Sequence, residues 1–216
     1  MTTIDQDAIH DDVDLPLQVT VFADSGIELV QAPWEDPTID WDSFDLIVVR
    51  SPWNYVDRLD EFRHWLDSRR RMRTIHNAVS LIEWNMDKRY LAGLAARGVP
   101  IVPTVFAESM EQFQVAARSA RSPEIVVKPS VSAGSRLTGR FAVDDAAAEE
   151  LAGQVLAKGF AVMVQPFASR IDDQGEIGTV LFDGVVSHSF RKAARLAEGG
   201  ALVGGEYREE ITAIVA

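Results

Sequence analysis

Two lysines stand where this chain could hold an anion. Lys128 ends the apolar run "EIVVK" and is followed by Pro129 and the small-residue stretch "SVSAGSRLTG". Lys88 stands at the start of a helical segment in "EWNMDKRYL". Phosphate-like anions need fixed cations and backbone N–H donors, and a loop of Gly, Ser and Thr brings its amides close because no bulk intervenes. The loop carries Gly134 and Gly139, hydroxyls at Ser132, Ser135 and Thr138, and a further cation at Arg136. Further on, the run "FAVMVQPF" ends in Gln165, Pro166 and Phe167. Alone, each lysine reads as a solvated element end and the loop as a surface turn. Together, in this order along the chain, they form a constellation that changes the weighing.

Other chemistries find less support. Gly134 and Gly139 have the glycine spacing of a Walker A loop, but Arg140-Phe141 follows where Lys-Ser/Thr is required. No G-x-G-x-x-G follows a strand, and no G-x-S-x-G elbow offers a serine nucleophile. The four histidines are scattered without zinc-like spacing, and there is no cysteine. His188 is set apart because it lies on a hairpin with Arg191 and Lys192. Glu176 follows Gly175 at the start of that hairpin and reads either as a polar member of a site or as a strand-edge glutamate.

The net charge of −12 argues against a nucleic-acid partner, because such binders neutralise phosphates with a basic face. It leaves room for a local cationic pocket that takes a small anion. No apolar run reaches the roughly 18 residues of a membrane span. The acidic start "MTTIDQDAIHDDVDLP" lacks the basic and apolar regions of a signal peptide, so a cytoplasmic location is expected.

The elements that must position these residues fall into two groups. In the first, "IELVQAPW" and "FDLIVVR" read as strands, the second as a buried parallel one. "DRLDEFRHWLDSRRRMR" reads as a helix with Leu59, Phe62, Trp65, Leu66 and Met72 on one face. "LQVTVFADSG" is ambiguous: its residues favour a strand, but Pro16 and Gly26 look like the start and stop of a helix. Arg50, Ser51, Trp53 and Tyr55 follow a parallel strand, where open α/β sheets present ligand loops.

In the second group "VPIVPT" reads as a strand, "ESMEQFQVAARSA" as a helix, "EIVVK" and "GRFAV" as strands, and "DDAAAEELAGQVLAKG" as a helix closed by Gly159. "GEIGTVLFDG" and "VVSHSFRK" read as a hairpin across Asp183-Gly184. Strands and helices thus alternate in the first half, while antiparallel pairing dominates the second.

The strings "DLIVVRSPWNY", "EWNMDKRYLAGLAARGVPIVPT", "VVKPSVSAGSRLTGRF", "VMVQPF" and "GEIGTVLFDGVVSHSFRK" together resemble the ATP-grasp superfamily, over about residues 45 to 192. Within it they look most like the glutathione-synthetase-like group and its D-cycloserine synthetase (O-ureido-serine cyclo-ligase) relatives. The resemblance implies α/β plus α+β: an ATP-grasp region at 81–216 behind an N-terminal open α/β, substrate-side domain at 1–80.

The same resemblance implies ATP and Mg²⁺ as cofactors and a small carboxylate or amino-acid-like substrate. Oligomeric state, including a homo-oligomer, is left open. The implied chemistry makes an acyl phosphate that an amine-type nucleophile attacks, with cyclisation where both groups belong to one molecule. By resemblance, Lys88 and Lys128 hold phosphates, and Ser132 to Gly139, with Gly134, Ser135 and Arg136, closes over them. Val164, Gln165, Pro166 and Phe167 line the adenine pocket, chiefly through main-chain groups, and Val162 and Met163 pack either on the purine or in the core. Glu176, Arg191 and Lys192 are the expected catalytic residues, and Arg50, Ser51, Trp53, Tyr55 and His188 the expected substrate contacts.

The sequence departs from the family in two respects. An acid-x-Asn pair for magnesium is expected on a late strand, yet after Lys192 the acids are Glu198, Glu206, Glu209 and Glu210, with no asparagine. The usual first strand is also hard to find. The expectation is therefore an incomplete and inactive fragment of a ligase. The competing readings are a non-catalytic nucleotide-binding module, or an unrelated α/β binding protein whose lysines are solvated ends.

Overall fold

The computed structural model describes residues 2–4 (backbone only), 12–72, 74–193, 196, 199–202 and 211–214. The chain divides into two compact units, Met1–Asp87 and Lys88–Ala216.

The first unit is an open parallel sheet. Its strands are β1 (Thr2–Ile4), β2 (Gln31–Pro33), β3 (Ile47–Ser51) and β4 (Ile75–His76), in the order β2-β1-β3-β4 and all parallel. Parallel neighbours need crossover connections, and helices α1 (Leu15–Asp24), α2 (Leu59–Arg69) and α3 (Val79–Met86) alternate with the strands. The strand that was hard to find is β1: three residues at the head of the chain, seated between β2 and β3. The strand expected over 27–34 shortens to Gln31–Pro33.

The ambiguous segment 17–26 is helical. Pro16 sits in the first turn of α1, where its missing N–H costs nothing. Gly26 (φ 71°) ends the helix: its N–H donates to the Ala23 carbonyl at 3.0 Å, and Ile27 N–H donates to Phe22 at 2.8 Å. This paired closure uses a left-handed residue that glycine adopts freely. α2 buries Phe62, Trp65 and Leu66 as its periodicity requires, in a core with Trp34, Trp41, Ile47 and Val49. Phe62 stacks on Trp65 with centroids 5.7 Å apart, and Trp34 meets Phe62 edge-on at 5.0 Å. Met72 lies beyond the helix end but packs on the same cluster.

The second unit opens with α4 (Tyr90–Ala96) and contains two antiparallel sheets. The larger has β5 (Val105–Ala107), β6 (Glu124–Pro129), β7 (Thr138–Ala142), β8 (Val162–Pro166) and β11 (Ala201–Leu202), in the order β11-β7-β6-β8-β5. Helices α5 (Met110–Ser119) and α6 (Ala146–Ala157) pack on one face, where Phe113, Ala117, Leu151 and Val155 meet Ile125, Val127, Phe141, Val162 and Val164. The strand expected over 99–104 is irregular, because Pro100 and Pro103 have no N–H to give a ladder. Pairing starts only at Val105.

The smaller sheet has β9 (Glu176–Phe182), β10 (Val185–Lys192) and β12 (Ile211–Ile214), in the order β12-β10-β9. Asp183 (φ 50°) and Gly184 (φ 77°) make the expected two-residue hairpin turn. A short helix, α7 (Arg170–Gln174), leads into β9.

Candidate functional site

Successive residues of a strand face opposite sides of its sheet, so β6 presents Ile125 and Val127 to the core and Val126 and Lys128 to the other face. Across β6, Lys128 pairs with Met163 and Val126 with Gln165 on β8, and Val126 pairs with Arg140 on β7. The face opposite α5 and α6 therefore gathers Lys128, Met163, Gln165 and Arg140. Val162 and Val164 point the opposite way, into the core, so they offer a ligand only backbone. Met163 is fully buried on the Lys128 face.

Lys128 is half-buried, and burial pulls its ammonium below the ordinary lysine range. The nearby Glu176 carboxylate opposes that shift without cancelling it. A cation in this state gains from a further anion, because burial has removed water and one carboxylate has not replaced it.

Lys88 joins this place from another element. Its backbone N–H donates to the Ser130 carbonyl at 2.8 Å, and its Nζ donates to the Ser132 carbonyl at 2.8 Å. Its own carbonyl accepts from Leu91 N–H as the chain turns into α4. The sequence order of the two lysines thus becomes a spatial meeting at the end of β6.

The loop between β6 and β7 is shorter than expected. Thr138 and Gly139 belong to β7, and Leu137 is buried in the core, which leaves Ser132 to Arg136 as the arch. Gly134 (φ 61°), Ser135 (φ 59°) and Leu137 (φ 53°) are all left-handed. That conformation is uncommon outside glycine, and it persists at Ser135 and Leu137 only because the surroundings fix it. Ser132 Oγ donates to the Arg136 carbonyl at 3.0 Å, across the base of the arch.

On β8, Gln165 is buried and donates from Nε2 to Thr104 Oγ1 at 2.7 Å. β5 pairs β8 only over Val162–Val164, so its ladder stops short of Gln165, Pro166 and Phe167. Phe167 N–H donates to the Glu124 carbonyl at 3.0 Å. Sequence reasoning missed Arg140. This buried guanidinium lies 3.6 Å from the Phe167 ring centroid, is forked to Glu124 at 2.8 and 2.6 Å, and is forked to Asp172 at 3.0 and 2.8 Å.

The hairpin separates residues that the sequence grouped. Glu176 pairs directly with Lys192, and Ile177 with Arg191. Lys192 thus shares a face with Glu176, while Arg191 faces the opposite side with Ile177. His188 shares the Lys192 face but is exposed and four residues away, about 13 Å along a strand. Gly175 (φ 68°) makes the Glu176–Lys192 approach possible, because a Cβ there would lie 2.3 Å from the Lys192 carbonyl oxygen.

The first unit contributes a cavity of its own, about 330 Å³, at the end of β3. Arg50, Trp53, Tyr55, Asn77, Leu81 and Asn85 are among its lining residues. Ser51 is not one of them: it is buried and donates to Asp12 Oδ2 at 2.8 Å. Arg50 is paired with Asp12 and, at 2.8 Å, with Asp14. Burial alone would raise the Asp12 carboxyl, but hydrogen bonds from Ser51 and Arg50 and the Arg50 charge outweigh it and hold it below the usual range. Burial pushes the Tyr55 phenol up.

Among the described residues, no three His, Cys, Asp or Glu side chains converge as metal ligands, and no helix is long and apolar enough to cross a membrane. Glu198, Glu206, Glu209 and Glu210 lie outside the described residues.

Comparison with solved structures gives the class. ATP-grasp ligase PsnB, solved with a precursor variant, Mg and ADP, aligns over 100% of this chain and 75% of its own at TM-score 0.59 and 14% identity, a likeness of fold. The crystal structure of D-cycloserine synthetase DcsG aligns over 93% of this chain and 70% of its own, at TM-score 0.85 and 33% identity. The curated cycloserine biosynthesis protein DcsG of Streptomyces lavendulae is 34% identical over 200 residues, covering 88% of this chain and 66% of that protein. A family profile described as the D-cycloserine synthetase DcsG N-terminal domain matches residues 1–77. The chain belongs to the D-cycloserine synthetase (DcsG) family of ATP-grasp proteins. It spans about two thirds of the length of the curated relative.

Proposed function

We propose that this chain is the nucleotide-gripping part of an ATP-dependent ligase that activates a carboxylate for attack by an amine-type nucleophile. The observation that carries the reading is Lys128: a half-buried, under-compensated cation at a strand end, with Lys88 and an arch of small residues beside it. Triphosphate oxygens would meet Lys88 and Lys128, with backbone amides of Ser132 to Arg136 over the terminal phosphate. The adenine would sit against Gln165, Pro166 and Phe167, where the β5 ladder has ended.

The step these residues serve is phosphoryl transfer. A carboxylate oxygen bonds to the γ-phosphorus, the bond to the β-phosphate oxygen breaks, and ADP leaves. The nucleophile then adds to the acyl carbon and releases phosphate. The protein contributes position and charge, and the lysines do both. Glu176, whose charge acts on Lys128, and its cross-strand partner Lys192 would meet the developing acyl phosphate. In a cyclising reaction, nucleophile and carboxylate belong to one molecule. The cavity of the first unit is the proposed substrate pocket, with Trp53 and Tyr55 as its flat walls.

Magnesium is expected from the family and would supply positive charge to neutralise the phosphates. The described residues do not make a metal centre, so no step is routed through one. Isothermal calorimetry with a non-hydrolysable ATP analogue tests the reading. Wild-type protein should bind and Lys128→Ala should lose most of that affinity; equal affinity would sink the phosphate assignment. ADP release in the presence of ureido-amino acids or amino acids tests the ligase half separately.

A further inference from the structure

Arg140 makes four hydrogen bonds from its five N–H donors, all of them to carboxylates. Its Nε and Nη2 are committed to Glu124, and its Nη1 to Asp172. It nevertheless sits behind Phe167, its guanidinium carbon 3.6 Å from the ring centroid, and it is 8% exposed. The two carboxylates come from different places: Glu124 from the start of β6, and Asp172 from α7, which leads through Gly175 to Glu176. Two forked carboxylates fix both the plane and the azimuth of the guanidinium, and the fixed plane in turn fixes the ring stacked on it. Phe167 keeps part of its surface accessible.

We propose that Arg140 is a positioning residue for the nucleotide base. It clamps the Phe167 ring from behind so that its remaining surface is a rigid wall for the purine, while Asp172 locks the clamp. This rests on the nucleotide reading above and adds to it a residue that touches no part of the nucleotide. The cation also draws electron density from the back of the ring, which favours stacking of an electron-rich purine on the front.

The test separates the base from the phosphates by using AMP and inorganic tripolyphosphate as two probes on the 216-residue chain. Arg140→Lys keeps the charge but loses the fork and the flat stack. It should weaken AMP binding about tenfold and leave tripolyphosphate binding unchanged. Asp172→Asn, on an exposed helix, retains folding and should weaken AMP about threefold, again with tripolyphosphate unaffected. Phe167→Leu should abolish the effect of either change, since the clamp then holds nothing.

Equal AMP affinity in wild type, Arg140→Lys and Asp172→Asn would overturn the proposal. So would parallel loss of both probes in Asp172→Asn, which marks general destabilisation. If Arg140→Lys does not fold, the Asp172→Asn and Phe167→Leu pair decides by the same criteria. Wild-type protein that binds tripolyphosphate but not AMP overturns this inference alone, and protein that binds neither overturns the nucleotide reading with it.

Discussion

The ammonium of Lys88 donates to the carbonyl of Ser132, so the first lysine of the site holds the arch that follows the second. The arch is thereby tied from outside as well as by the Ser132–Arg136 bond within it. A phosphate arriving at Lys88 competes with a main-chain carbonyl for that ammonium. Lys88→Met should free the arch and make it more susceptible to proteolysis between Ser132 and Arg136. ATP should protect the wild-type arch and leave the variant unprotected. Cleavage indifferent to both the substitution and the nucleotide would remove the tie from the account.

Lys128 makes a testable trade. With no anion bound, its charge is poorly solvated, so Lys128→Met should raise thermal stability by about 1 kcal/mol, roughly 2–4 °C in Tm, while abolishing polyphosphate binding. The sign with pH follows from its lowered proton affinity. Below the ordinary lysine value of 10.5 the unfolded chain holds this proton more firmly than the folded one, so stability rises with pH through that window. The advantage of the variant should therefore shrink as pH approaches 10.5. Differential scanning calorimetry across alkaline pH, with and without tripolyphosphate, measures it. A destabilised variant contradicts the picture of an under-compensated cation.

In the first unit, Asp12 should carry an acid-sensitive share of stability. Its folded carboxyl lies below the unfolded value of 3.8, so its contribution is complete above that value and is lost as pH falls through the folded one. Asp12→Asn should cost about 1–3 kcal/mol near neutral pH, and the gap to wild type should close in strong acid. Urea unfolding at neutral pH and below pH 3.8 gives both numbers. A gap that does not narrow would show that the Arg50–Ser51–Asp12 bonds do not depend on the charge.

Gly175→Ala should be the most damaging single-methyl change in the hairpin. The residue is left-handed, and an added Cβ meets the Lys192 carbonyl oxygen at 2.3 Å. The expected loss is about 1–3 kcal/mol, together with displacement of Glu176 from Lys192. Gly184→Ala, with nothing near its Cβ, tests the left-handed strain alone and should cost less.

The cavity of the first unit should accept a plug. Leu81 lines it yet is 51% exposed, so Leu81→Trp should fold. It should reduce substrate binding more than tenfold, about 1.4 kcal/mol or more, with ATP-analogue affinity unchanged. Unimpaired substrate binding would remove the cavity from the function.

Local signals made much of the fold legible. Lys128, its loop, the Asp183-Gly184 turn and the helix-closing glycines are each written in a few adjacent residues. β1 escaped because three residues show no alternation and an acidic stretch follows; only its partners, Val48 and Gln31, make it a strand. "VPIVPT" misled because its β-prone residues count for less than two absent N–H groups. Arg140 was invisible for a different reason: its carboxylates lie 16 residues before it and 32 after it, and nothing local marks a guanidinium that will be buried. The pairing of Lys192 with Glu176 was equally hidden until the hairpin register put Arg191 on the other face.

β1 also constrains when the first unit can form. Thr2 pairs with Gln31 on one side and Val48 on the other. A ribosome adds about 5–20 residues per second, so several seconds separate the synthesis of β1 from that of its second partner, β3. The first sheet is thus assembled by recruitment of its oldest strand into a frame made later.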